Sequence, residues 1–298
     1  MFFCGCIALL ACFAACDKPE DGVYSPSKKI HKIYEVNENG ETELSQVWNW
    51  DGDMLTSIDN YYGLADIALT DYFTYDENSR LTRIENGSSH SEFYYNGKNL
   101  GTVLVYQGGE QVARYEFEYK GRKISVIKME IDGDLLDLFK GKEWSANPLH
   151  LLLPDLSQTL QPVVKQYVHD AKGAATLTMT LHWDGHNVKT MDIDMDGFFG
   201  FSTTATAECT FDNKRNPFKG FFSLLSSSTN LMETAFHNHN NLLTVTTRIA
   251  SMLSTKQENS YEYDGNYPVK MVSKTSYGTS FGEDDEAEIT TKIYEYGE

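Results

Sequence analysis

From residue 28 onward, apolar and polar residues alternate in short runs that break at polar turns. The clearest unit is Tyr72-Phe73-Thr74-Tyr75-Asp76-Glu77-Asn78-Ser79-Arg80-Leu81-Thr82-Arg83-Ile84. It alternates, turns through an Asp/Asn/Ser cluster and alternates again. The same pattern recurs at 47–58, 93–103, 115–127, 181–191 and 261–272, and more weakly at 33–44, 167–177 and 209–218. Each copy sets an aromatic just before a turn with Gly or Asn, an aliphatic five or six positions later, and another three beyond. Alternation sends one set of side chains to a buried face and the other to solvent. Asp-Gly and Asn-Gly supply the positive φ of tight hairpin turns. A lone hairpin is marginal in water, so consecutive copies must extend a common sheet. The pattern predicts an all-β fold: antiparallel hairpins forming one large curved or barrel-like sheet.

Two stretches interrupt the pattern and predict short helical insertions. In 134–162, Leu149, Leu153, Leu156 and Leu160 recur at helical spacing after Pro148, and Pro154 limits or kinks that helix. Residues 218–236 join an apolar run to a serine-rich one. Insertions of this kind cap a sheet end or plug a barrel mouth. The acidic run 283–286 reads as a solvated hairpin loop.

The N-terminus follows other rules. Residues 2–15 are uncharged and too short to span a bilayer, which takes about 20 apolar residues. They read as a secretory signal occupying 1–15. Phe13-Ala14-Ala15-Cys16 resembles a bacterial lipobox, which makes Cys16 the lipidated first residue of the mature chain. Residues 16–27 then form a flexible tether, and 28–298 form a single repeat-built domain. Four of the five cysteines belong to the signal or its cleavage site, leaving Cys209 in the body and no internal disulfide. The expected location is the outer membrane, held by a lipid anchor, on either its periplasmic or its cell-surface side.

The copy at 72–84 closely resembles the YD repeat, through Tyr75, Asp76, Asn78, Arg80, Leu81 and Thr82. Together with 47–52, 211–217 and 263–268 it resembles a family of Gram-negative lipoproteins that carry a domain of unknown function with a porin-like β fold. The resemblance spans most of 28–296 and implies a large antiparallel sheet, closed or strongly curved. It implies no catalytic residue. The ending Tyr294-Glu295-Tyr296-Gly297-Glu298 departs from the terminal aromatic usual in membrane-spanning barrels, so the expectation is a sheet outside the bilayer.

Charge narrows the partners. A formal net charge of −18, from 43 acidic and 25 basic residues, makes nucleic acid a poor partner. Asp192, Asp194 and Asp196 have the opening spacing of a calcium loop, but Thr203 stands where a bidentate Glu belongs. Met191, Ile193 and Met195 alternate with them, so an acidic strand face is the plainer reading and calcium bridging the alternative. His237 and His239 read as a polar turn, and Cys209 as a small core residue. No G-x-S-x-G, H-E-x-x-H, P-loop or dinucleotide motif is present, and no cofactor is implied.

Aromatic rows carry the one binding hypothesis. Trp48 and Trp50 share a strand face, as do Tyr115, Phe117 and Tyr119. Such rows either stack against sugar rings or fill a sheet core. The expected function is a non-enzymatic binding or scaffolding module at the cell envelope, its partner a glycan or an envelope protein. The alternatives are a glycan hydrolase with an unlocated carboxylate pair, and a purely structural spacer.

Overall fold

A computed structural model describes residues 24–37, 39–61, 68–131, 175–197, 202–221, 238–249, 253–279 and 287–297. The first half of the chain forms β1 (Ile30–Val36), β2 (Thr42–Asp51), β3 (Met54–Tyr61), β4 (Ala68–Tyr75), β5 (Leu81–Asn86), β6 (Ser89–Asn96), β7 (Asn99–Gln107), β8 (Glu110–Lys120) and β9 (Lys123–Ile131). The second half forms β10 (Ala175–Asp184), β11 (Asn187–Asp196), β12 (Thr203–Arg215), β13 (Asn240–Ile249), β14 (Leu253–Asp264), β15 (Tyr267–Thr279) and β16 (Glu288–Tyr296). Every strand pairs antiparallel with its neighbours in sequence. β1 also pairs with β16, with Ile33 opposite Tyr294, which closes the sheet into one barrel. The all-β, hairpin-built sheet is present, and of its two expected forms it takes the closed one.

The predicted helical insertion at 134–162 lies outside the described residues. Of 218–236 only 218–221 are described, and they belong to a turn in which the Phe221 amide donates to the Phe218 carbonyl. The signal at 1–15 and Cys16 also lie outside.

The sequence repeat has a physical counterpart. The hairpins β2–β3, β4–β5, β6–β7, β8–β9, β10–β11 and β14–β15 each carry a register shift at the aromatic residue before the turn. The shift is a bulge that turns the ring toward the neighbouring hairpin. In four of the six, its polar tip finds a carbonyl at the start of the preceding strand. Trp50 donates to Ile30, Tyr75 to Leu55, Tyr95 to Leu81 and Trp183 to Ile124, at 2.7–2.8 Å. Tyr261 and Tyr296, which do not occupy that bulge position, make a similar bond to the Leu242 and Pro268 carbonyls, and the bulged Tyr263 donates to Asp212 instead. The two aliphatic positions after each turn, such as Leu55 and Ile58 or Ile124 and Ile127, are buried. Thus the repeat encodes a strut between hairpins and two core residues beneath it.

All of these turns, together with the start of β1 and the end of β16, lie at one end of the barrel, called here the terminal end. The 216–221 turn enters the barrel there. Phe221 touches Tyr24, Trp48 and Phe73, while Phe218 touches Trp48 and Tyr294. Rings from β2, β4 and β16 can converge on one turn only if they point inward. Strand alternation then assigns the rest. On β8, Ala113, Tyr115 and Phe117 face the interior while Arg114, Glu116 and Glu118 face out. On β11, Met191, Ile193 and Met195 face in and the aspartates face out. The outer wall carries cross-strand ion pairs such as Arg83–Glu92, Lys128–Glu118 and Lys270–Glu262. The barrel is therefore charged outside and filled by buried side chains inside.

Candidate functional site

Along β6 to β12 the interior is lined mainly by apolar side chains, among them Val103, Tyr115, Met129, Leu177, Met191 and Ala207. From β13 round to β5 it changes, because polar residues take core-facing positions. Gln46, Asn60 and Asp71 occupy the same alternation as Trp48, Ile58 and Phe73. Gln46 donates to Asn60 at 2.8 Å, and its own oxygen accepts the Trp48 indole N–H at 3.0 Å. Asn60 donates to Asp71 at 3.0 Å, and Asn86 donates to the other oxygen of that carboxylate. Asp71 is wholly buried, and burial raises its carboxyl above the ordinary range against the opposing pull of Asn86 and Asn60. A second cluster joins Gln257 to Asn259 and Ser273, and Asn259 to the Leu242 carbonyl.

The first cluster is an amide network around the Asp71 carboxylate, and the second is built of amides and a hydroxyl. They hold no nucleophile beside a base, so what they can do is fix neighbouring strands in register and offer amides to a polar guest. In the apolar arc the Tyr115 and Ser91 hydroxyls are buried without a hydrogen-bond partner. At the terminal end, Tyr24 is buried with its hydroxyl donating to the Pro217 carbonyl at 2.8 Å, although it falls within the stretch expected to be a tether. Two cavities flank the 216–221 turn. One lies between Phe218, Leu242, Tyr261 and Met271, the other between Tyr24, Tyr75, Tyr95 and Phe221. Each measures about 10 Å³, room for one water.

The residues singled out in the sequence fall in three places. Trp48, Tyr115 and Phe117 are 1%, 2% and 9% exposed and line the interior, so they make core contacts and not a solvent-facing platform. Trp50 and Tyr119 are half-buried at the rim, Trp50 against Tyr24. The outward Asp192 pairs with His182 at 2.8 Å, and Asp196 accepts the Ser202 hydroxyl at 2.6 Å. Among the described residues no group of three or more His, Cys, Asp and Glu is arranged to hold a metal. Cys209 is buried in the interior, where burial pushes its thiol up to about 12. Sequence reasoning passed over Gln46, Asn60 and Asp71. Their signal was available: each is a polar residue two positions from a core aromatic or aliphatic one.

The rings that do meet solvent are elsewhere. On the outward face of β4 to β7, Tyr72 and Tyr94 are 59% and 49% exposed, and His90 stacks on Tyr106 with centroids 4.6 Å apart. Between them Arg83 binds Glu85 and Glu92.

No family model and no curated protein matches the sequence. Among solved structures, a porin-like protein from Bacteroides uniformis ATCC 8492 is similar, with a TM-score of 0.52 and 13% identity over 93% of this chain and 100% of that one. A porin-like protein from Bacteroides vulgatus ATCC 8482 aligns over 91% and 99% at 8% identity, with a TM-score of 0.38. At this identity the first likeness speaks for the fold alone: the chain folds as a porin-like, sixteen-stranded β-barrel.

Proposed function

We propose that this chain is a lipid-anchored envelope protein of the YD-like lipoprotein kind, whose barrel stands outside the bilayer and serves as a non-enzymatic binding or scaffolding module. One observation carries the reading: the polarity of the barrel wall is the reverse of what a bilayer requires. A transmembrane barrel turns apolar side chains to lipid, and each outward Arg or Lys at the midplane costs about 2–4 kcal/mol. Here Arg114, Glu116 and Lys128 face outward at mid-strand, and the interior is a core. Such a wall suits water on the outside.

Membrane attachment then falls to Cys16. Replacing it with Ser should move the protein from the membrane to the soluble fraction, while the wild type resists a high-salt, alkaline wash and needs detergent. A Cys16→Ser variant that stays in washed membranes would show that the barrel itself is embedded. A glycan partner, if it is bound by ring stacking, would meet the outward Tyr72, Tyr94 and Tyr106 surface, because that is where aromatic faces reach solvent.

A further inference from the structure

Among the described residues, basic side chains concentrate at one end of the barrel. Ten of the 25 basic residues of this strongly acidic chain lie in or beside the turns and strand ends of the terminal end. Arg80, Lys98, Lys120, Arg122 and Lys123 span three successive turns, β4–β5, β6–β7 and β8–β9. Lys28 and Lys29 precede β1, and Lys214, Arg215 and Lys219 lie where β12 ends. The described turn residues at the opposite end, 37 and 39–41, 87–88, 108–109, 197, 202 and 287, include no Lys or Arg. The same end carries Asp51, Asp53, Asp76, Glu77, Asp184, Asp212, Asp264 and Glu295, and Lys28 pairs with Asp264, Lys29 with Asp53 and Arg80 with Asp76. The basic surplus therefore falls on the β6–β7 and β8–β9 turns, where Lys98, Lys120, Arg122 and Lys123 stand in segments with no Asp or Glu. Lys98, Lys120 and Arg122 are exposed.

A second feature coincides with the first. The pre-turn aromatics form a half-buried ring around the same rim, and cations sit on their faces. Lys28 lies 4.8 Å over Tyr296, Lys29 5.6 Å over Trp50, Arg80 4.7 Å over Tyr95, Lys123 5.1 Å over Trp183 and Lys214 5.6 Å over Tyr263. Half-buried Trp and Tyr beneath Lys and Arg stems match the amphipathic layer of a membrane interface. The third feature is chain length. Tyr24 is fixed in the terminal end, and the eight residues back to Cys16 reach at most about 28 Å.

We propose that the terminal end docks on the membrane surface, its basic rim against anionic phosphate headgroups, with the acidic wall and the opposite end projecting into water. The inference rests on lipidation at Cys16 for its reach, and on the rim for its contact. The lipid anchor holds the chain on the membrane, and the rim adds an orienting contact: each cation near an anionic surface adds attraction that fades within about 10 Å at moderate salt. The barrel would thus be held upright on its anchor.

The test uses the lipidated full-length protein on vesicles of phosphatidylglycerol and phosphatidylcholine that contain headgroup-quencher lipid. A fluorophore is placed through Asn78→Cys at the terminal end or Glu110→Cys at the other. The expected result is quenching at 78 and not at 110, relieved by 1 M salt and weak on phosphatidylcholine alone. Lys98→Glu, Lys120→Glu and Arg122→Glu together should cut the quenching at 78 several-fold while the protein stays on the vesicles. Lys128→Glu, Lys256→Glu and Lys274→Glu, on the outer wall, should leave it unchanged. Equal quenching at both ends, or quenching at 78 that ignores lipid charge, overturns the proposal with the anchor intact. Protein that leaves the vesicles altogether in high salt overturns the lipid anchor instead, while the low-salt comparison of 78 with 110 still decides the rim.

Discussion

Asp71 sits at a core position of β4 between Asn60 and Asn86, and its environment works in opposite directions. Burial favours the neutral acid, and the two amide donors favour the carboxylate. Burial wins, so the folded protein holds this proton more tightly than the unfolded chain does. Stability from this residue is then present below the ordinary carboxylate value, about 3.9, and is lost as pH rises through the raised one. Asp71→Asn keeps the shape and cannot titrate. Urea midpoints should therefore fall less between about pH 4 and pH 7 in the variant than in the wild type. Equal falls would assign the dependence to other groups. Cys209 belongs to the same scale: a buried thiol held neutral by its surroundings has little thiolate to react.

At the scale of elements, the hairpin is the unit of construction and the aromatic strut joins one unit to the next. Tyr95 ends β6, its ring lies under Arg80, and its hydroxyl ties back to the Leu81 carbonyl at the start of β5. Tyr95→Phe keeps the ring and removes the donor, leaving that carbonyl without this partner. A loss of about 1 kcal/mol is expected in equilibrium unfolding. Tyr95→Ala also deletes the ring from the packed rim and should cost about 3 kcal/mol or more. If Tyr95→Phe unfolds like the wild type, the ring alone is the strut. The turns need their glycines for a simpler reason: Gly97 sits at φ +64°, where a side chain is strained, although the space around it is open.

For the whole molecule, closure is the consequential event. β1 bonds to β16, so the last strand completes a surface begun at the first. Removing 288–298 would leave β1 and β15 with unpaired edges, and open edges recruit other chains. The truncated protein should elute as oligomers or aggregate in size-exclusion chromatography while the intact one does not. A monomeric, folded truncation would mean that the sheet tolerates opening. Closure also explains the polarity of the wall, because a closed sheet has one inside, and this chain fills it with side chains from every strand.

The strand grammar was legible because it is local. Alternation, Asp-Gly turns and the Tyr75 to Leu81 to Ile84 spacing are set by the pleat and by turn geometry, and both act over a few residues. The row Met191, Ile193, Met195 against Asp192, Asp194, Asp196 likewise declared two opposite faces. Sequence alone did not say which face of Trp48 or Tyr115 meets solvent, since a sugar platform and a core ask for the same rings at the same period. The tertiary structure decided it, because only closure puts rings from β2, β4 and β16 around one turn. The Gln46, Asn60 and Asp71 network joins the successive strands β2, β3 and β4, so it needed only their register and the assignment of the inward face. The basic rim is different: its members are far apart along the chain, and only the closed meander brings alternate turns, the start of β1 and the end of β16 to one end.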